Sequence, residues 1–187
     1  MSAILKLRQL PPDLLFRRLR LAEAHGDLLR DAPSPAILLE RLSGLNLLWA
    51  AVRLLSYALP EREAVWWACR CVAHTAPAVM AILEQKALAA AEAWVRCPGS
   101  DTRQDAARAA AGAGYDGAAA WAARAAYASR PALPLHMRGG KRVEMAILRA
   151  AEQDDAARAA NRLPRFIESG RDIAGGGGGR LPPEPRP

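Results

Sequence analysis

Apolar residues recur along this chain at helical spacing. Pro11, Pro12 and Asp13 open a first helix with Leu14, Leu15, Leu19 and Ala22 on one face and Arg17, Arg18 and Arg20 around it, and Gly26 ends it. Ser34 and Pro35 form an N-cap followed by proline at the first helical position, and Gly44 stops the helix that carries Leu38 and Leu42. Asn46 is expected to cap the next, with Leu47, Leu48, Ala51, Leu54, Leu55 and Ala58 in register. Pro60 sits in the first turn of another, where Glu61 and Glu63 complement the positive helix end. Thr75, Ala76 and Pro77 predict the start of a long helix reaching Cys97.

Further on, Asp101 and Gln104 have the spacing of a capping box for a helix that ends at Gly112 or Gly114. Asp116 is expected to cap a helix holding Trp121 and Tyr127, and residues 131–140 read as a loop. Residues 141–152 place Val143, Ala146, Ile147 and Ala150 on one side. A last helix is expected over Asn161–Ile173, with Pro164 in its first turn. No alternating run long enough for a half-buried strand occurs. The fold class is therefore all-α: a compact irregular helical bundle, or a HEAT-like stack of about seven to nine short helices. One domain is expected over residues 1–174, followed by a flexible Gly/Pro-rich tail at 175–187 that opens on five glycines.

Composition agrees with helices and narrows the functions. The 187 residues include 42 Ala and are 51% apolar, enough for a sizeable core. Arginine outnumbers lysine 23 to 3, and the net charge is +7. The charge is spread: residues 1–100 carry 12 basic and 9 acidic side chains, and residues 101–187 carry 14 and 10. Interspersed charge reads as a solvated surface, which argues against nucleic acid as partner. The most apolar stretch, Gly44 to Pro60, is short and interrupted by Arg53, so no membrane insertion is expected. With no signal-peptide pattern at Met1–Lys6, the expected compartment is the cytoplasm.

Candidate chemistry is sparse. Cys69 and Cys71 are two residues apart and point to nearly opposite sides of a helix. Cys71, His74 and Cys97 lack a fourth ligand, so no metal is expected. The three histidines are isolated, and no nucleophile elbow or phosphate loop is present. No cofactor and no catalytic residue are assigned, and the chain is expected not to be an enzyme.

The most distinctive segment runs from Arg62 to Cys71. Adjacent tryptophans on a helix point about 100° apart, so one can enter the core while the other meets a partner. Trp66 shares a face with Cys69 and Arg70, and Trp67 with Glu63, Arg70 and His74. Trp and Arg dominate interface hot spots. Glu63, Trp66, Trp67, Arg70 and His74 are therefore the candidate partner-binding residues.

Four segments carry a resemblance. They are Pro60, Arg62 to Cys69 in a Pro-x-Arg-Glu-Ala-Val-Trp-Trp-Ala-Cys pattern; Trp94, Val95 and Pro98; Trp121, Ala122, Ala123, Ala125 and Ala126; and Asp172, Ile173, Ala174, Gly176 and Gly177. Over residues 8–178 the chain resembles an uncharacterised family of small bacterial all-helical proteins, a domain of unknown function. The resemblance implies no catalytic residues and an association with type VI secretion gene clusters. The expected function is a cytoplasmic, non-enzymatic adaptor or accessory factor whose protein partner is a secretion-system component or effector. The alternative is a nucleic-acid or anionic-surface binder that uses the arginine excess.

Overall fold

The computed structural model describes residues 6–19, 21, 27–30, 32–114, 116–130 and 138–183. Among them the chain forms α-helices and no β-strand. The helices are α1 (Pro12–Leu19), α2 (Asp27–Arg30), α3 (Pro35–Gly44), α4 (Leu48–Ala58) and α5 (Glu61–Thr75). They continue as α6 (Ile82–Arg96), α7 (Ser100–Gly112), α8 (Ala118–Ala128), α9 (Gly140–Ala151) and α10 (Ala159–Ala174), the last preceded by a 3-10 turn at Ala156–Arg158. The bundle is all-α, as the periodicity predicts. The expected roles of Arg20, Ala22 and Gly26, and most of the loop before α9, lie outside the described residues.

Caps explain most boundaries and correct several expectations. Ser34 Oγ accepts the Ile37 N–H at 3.3 Å, and Pro35 opens α3. Asn46 closes α3 instead of capping α4. Its φ is 56°, and the Leu47 N–H reaches back to the Leu42 carbonyl at 2.8 Å while the Asn46 N–H reaches Ser43 at 3.0 Å. That is the Schellman pattern, and asparagine tolerates its left-handed position. Thr75 ends α5 rather than starting α6, and residues 76–81 connect the two helices. Pro77 disfavours helical backbone at the residue before it, and Ala76 is indeed extended with ψ 132°. The cap expected on Asp101 forms two residues earlier and only as half a capping box: Thr102 Oγ1 accepts the Gly99 N–H at 3.1 Å, and glycine has no side chain to return the bond. Gly117, not Asp116, flanks the start of α8. Pro164 lies inside α10, not in its first turn. Its missing N–H faces the Ala160 carbonyl on the exposed side of the helix, where water can take over.

The packing centres on α8, which touches α5, α6, α7 and α9. Its buried residues are all alanines, from Ala118 through Ala128, and side chains this small let four helices approach one. The outer side of α8 carries Trp121, with the Arg124 guanidinium 4.2 Å from its ring centre. On the far side of α5 and α9, α4 packs against α3, α9 and α10. Arg53 of α4 is tied to α9 by a buried carboxylate: Arg53 Nε and Lys141 Nζ each lie 2.9 Å from Glu144 Oε1. Arg162, also buried, donates to the Ala151 carbonyl at 3.2 Å and the Gln153 carbonyl at 2.6 Å, closing the carboxyl end of α9.

Two arms flank this body. The Lys6 N–H donates to the Ala174 carbonyl at 2.8 Å and the Arg8 N–H to the Ala58 carbonyl at 2.7 Å. After α10, residues 175–183 lie back along the helix. Asp172 Oδ2 accepts the Gly179 N–H at 2.8 Å, Ser169 Oγ donates to the Gly179 carbonyl at 2.9 Å, and Arg165 donates to the Pro183 carbonyl at 2.7 Å. Gly176 and Gly179 have φ of 93° and 69°, conformations that cost other residues strain. Residues 184–187 of the expected tail lie outside the described residues.

Enlarging Ala123, fully buried in the crowded face of α8, will show how tight that face is. Ala123→Leu is expected to lower the stability measured by urea unfolding by about 1–3 kcal/mol. Removing the exposed Tyr127 ring on the same helix is expected to change it by less than about 0.5 kcal/mol.

Candidate functional site

Helix α5 supplies all five candidate residues, and the structure divides them. Trp67 turns inward and has no exposed surface. Its Nε1 donates to the Phe166 carbonyl of α10 at 2.7 Å. That fit depends on Gly170, where an added Cβ would stand 2.9 Å from Trp67 Cε2 and 3.0 Å from Leu55 Cδ1. His74, two turns further on, meets the Phe166 ring edge-on at 6.2 Å. Trp67 and His74 therefore pack in the seam between α5 and α10, and Trp67 is fully buried there.

Trp66, Glu63 and Arg70 lie on the outer side. Trp66 is half-buried, and its Nε1 donates to the Gly178 carbonyl of the C-terminal arm at 3.3 Å. The Arg70 guanidinium sits 5.6 Å from its ring centre, a cation–π contact that holds the indole from behind. Trp66 and Glu63 line an open groove of about 510 Å³ between the start of α5, the end of α6 and the two arms. Leu59, Val95 and Ile173 are buried and form its floor. Lys6, Arg62 and Arg96 are exposed at its rim, and Gly176 and Gly177 close one side.

Three of the four segments singled out in the sequence meet here: Pro60 to Trp66, Val95, and Ile173 to Gly177. The fourth is the alanine face of α8. Lys6 and Arg96 were not legible as site residues, because a lone charge at a helix end or in an arm has no periodic signal.

Beside the groove, Glu61 anchors the start of α5. Its carboxylate accepts from Arg8 of the N-terminal arm, and Arg138 Nη1 lies 2.7 Å from Oε1. The Arg8 hydrogen bond, with help from Arg138, holds the Glu61 carboxyl at about 2 against an ordinary 4.5. Cys69 and Cys71 are fully buried on the same helix, and burial pushes both thiols up. Among the described residues no group of three or more His, Cys, Asp and Glu could hold a metal ion. No helix among them is long and apolar enough to cross a membrane.

Residues 38–174 match a protein family described as a family of unknown function, DUF6931. The chain belongs to this family. The DUF6931 match runs from α3 to the last residue of α10, so it takes in the floor of the groove and Trp66 but neither arm. No curated protein and no solved structure matches the DUF6931 chain.

Two measurements separate the roles on α5. Trp67→Ala is expected to cost about 3–5 kcal/mol in urea unfolding, the cost of emptying a filled core site, whereas Trp66→Ala costs about 1 kcal/mol. The Glu61 carboxyl is lowered in the folded state, so its contribution is complete above pH 4.5 and is lost as pH falls toward 2. Urea midpoints of Glu61→Gln are therefore expected to fall less steeply than those of the parent chain across that window.

Proposed function

We propose that the protein is a non-enzymatic interaction module that docks a partner protein on the outer face of α5. The observation that carries this reading is Trp66: a half-exposed indole, braced by Arg70, on the wall of an open groove with an apolar floor. Such a ring offers a large apolar area that loses little conformational freedom on binding. A second apolar surface lies at the α5–α6 connection, where Val79, Ile82 and Leu83 are 90%, 69% and 50% exposed. Exposed apolar patches of this kind mark interaction surfaces.

The role proposed for the module is that of an adaptor or accessory factor of a bacterial type VI-like secretion system. That placing rests on the sequence resemblance around Pro60 to Cys69. The competing reading, a nucleic-acid binder, draws on the arginine excess. Many of those arginines have internal duties: Arg53 on Glu144, Arg8 and Arg138 on Glu61, Arg162 on carbonyls, and Arg70 and Arg124 on indoles.

The test is co-purification of the tagged protein from its own cells, with and without nuclease, as the parent chain and as Trp66→Ala. Secretion-system proteins retained by the parent and lost by a folded Trp66→Ala are the expected result. Partners retained by Trp66→Ala would overturn the docking face, and partners lost on nuclease treatment would favour the nucleic-acid reading.

A further inference from the structure

We infer that the groove beside Trp66 takes an acidic peptide segment anchored by one large apolar side chain. This rests on the reading of that face as a docking surface and names what docks. Several polar groups of the groove are already satisfied within the chain. The Ala174 carbonyl is taken by the Lys6 N–H at 2.8 Å, and the Val95 carbonyl by Arg62 Nε at 2.7 Å. The Trp66 N–H is taken by Gly178. What the lining leaves for a ligand is therefore mostly donor and positive. The Lys6 ammonium is exposed, and Arg62 has spent one N–H of its fork and keeps the rest. Arg96, itself well exposed, has only a 3.9 Å approach to Glu92, a contact of small value. Among the described residues, Glu63 is the one carboxylate lining the groove against these three cations.

Carboxylates on the ligand complement that rim. The buried floor of Leu59, Val95 and Ile173, with the Trp66 ring beside it, accepts an aliphatic or aromatic side chain. A volume of about 510 Å³ suits one such side chain with its flanking backbone. Lys6 lies outside the residues that match the family, so part of the charge that selects the ligand comes from this chain's own N-terminal arm.

The probe is a phage-displayed random dodecapeptide library, panned on the full chain in the presence of excess soluble Trp66→Ala. The expected survivors carry a large apolar residue beside two or more Asp or Glu. A synthetic consensus peptide should then bind the Lys6→Glu, Arg96→Glu double variant about tenfold more weakly, and more weakly still at high salt. Both side chains are exposed, so the thermal midpoint of the double variant should match the parent. Survivors that are neutral or basic, or a consensus indifferent to the charge reversal, would overturn the acidic ligand while leaving Trp66 as a docking residue. No survivor that prefers the parent to Trp66→Ala would overturn the docking face and this inference with it. Displacement of the consensus by a single-stranded oligonucleotide would overturn the peptide in favour of nucleic acid.

Discussion

Four helices can press against a fifth only if that fifth carries almost no side chain on the pressed faces. Helix α8 meets this condition with alanine at every buried position. Alanine also has the highest helix propensity, so the same residues that permit close approach keep α8 helical without long side chains to lock it. The positions of α5, α6, α7 and α9 follow from this contact. Once α5 and α9 are placed, α10 can lie on α5 only where Gly170 lets the Trp67 ring pass. The outward angle of Trp66 is then settled, because it stands one residue from Trp67 on the same helix. The groove is thus a by-product of core packing, set at the edge of the alanine seam.

The charge economy follows the same logic. A net +7 suggests a basic surface, yet the described arginines are used heavily inside the bundle. Glu144 sits between Arg53 and Lys141, and Glu61 between Arg8 and Arg138. Glu61 joins cations from two other parts of the chain, and Glu144 holds Arg53 of α4 beside Lys141 of its own helix, so each carboxylate works as a cross-link between elements. Arg162 satisfies the last carbonyls of α9, a task its forked guanidinium suits better than a lysine ammonium would. A high arginine count therefore reflects in part how an alanine-walled bundle ties its ends.

Fold class was legible because helical periodicity, Ser34-Pro35 and the glycine stops are local signals. The failures are local signals read in the wrong direction. Asn46 looks like a cap for the helix after it and instead closes the helix before it, since left-handed backbone and side-chain capping draw on the same residue types. Thr75 looks like a helix start because Pro77 follows, but its hydroxyl bonds back to Cys71 at 3.3 Å and the proline only ends α5. On the site, the Trp pair stood out, but periodicity cannot rotate a helix about its axis. What chooses between Trp66 and Trp67 is the Phe166 carbonyl and the Gly170 notch, about a hundred residues away. The C-terminal glycines carry a related point. Their freedom lets the chain reverse at Gly176 and Gly179 and reach Asp172 and Ser169.

Both indole N–H groups of the pair end on the C-terminal part of the chain, at Phe166 and at Gly178, which stand 99 and 112 residues downstream of their partners. A ribosome adding about 5–20 residues per second delivers α5 on the order of 5–20 s before either acceptor exists. For that interval the nascent chain carries two adjacent tryptophans with no slot to enter. The bundle can close only after synthesis is nearly complete, so the newborn chain exposes on α5 an aromatic pair that the mature molecule half hides.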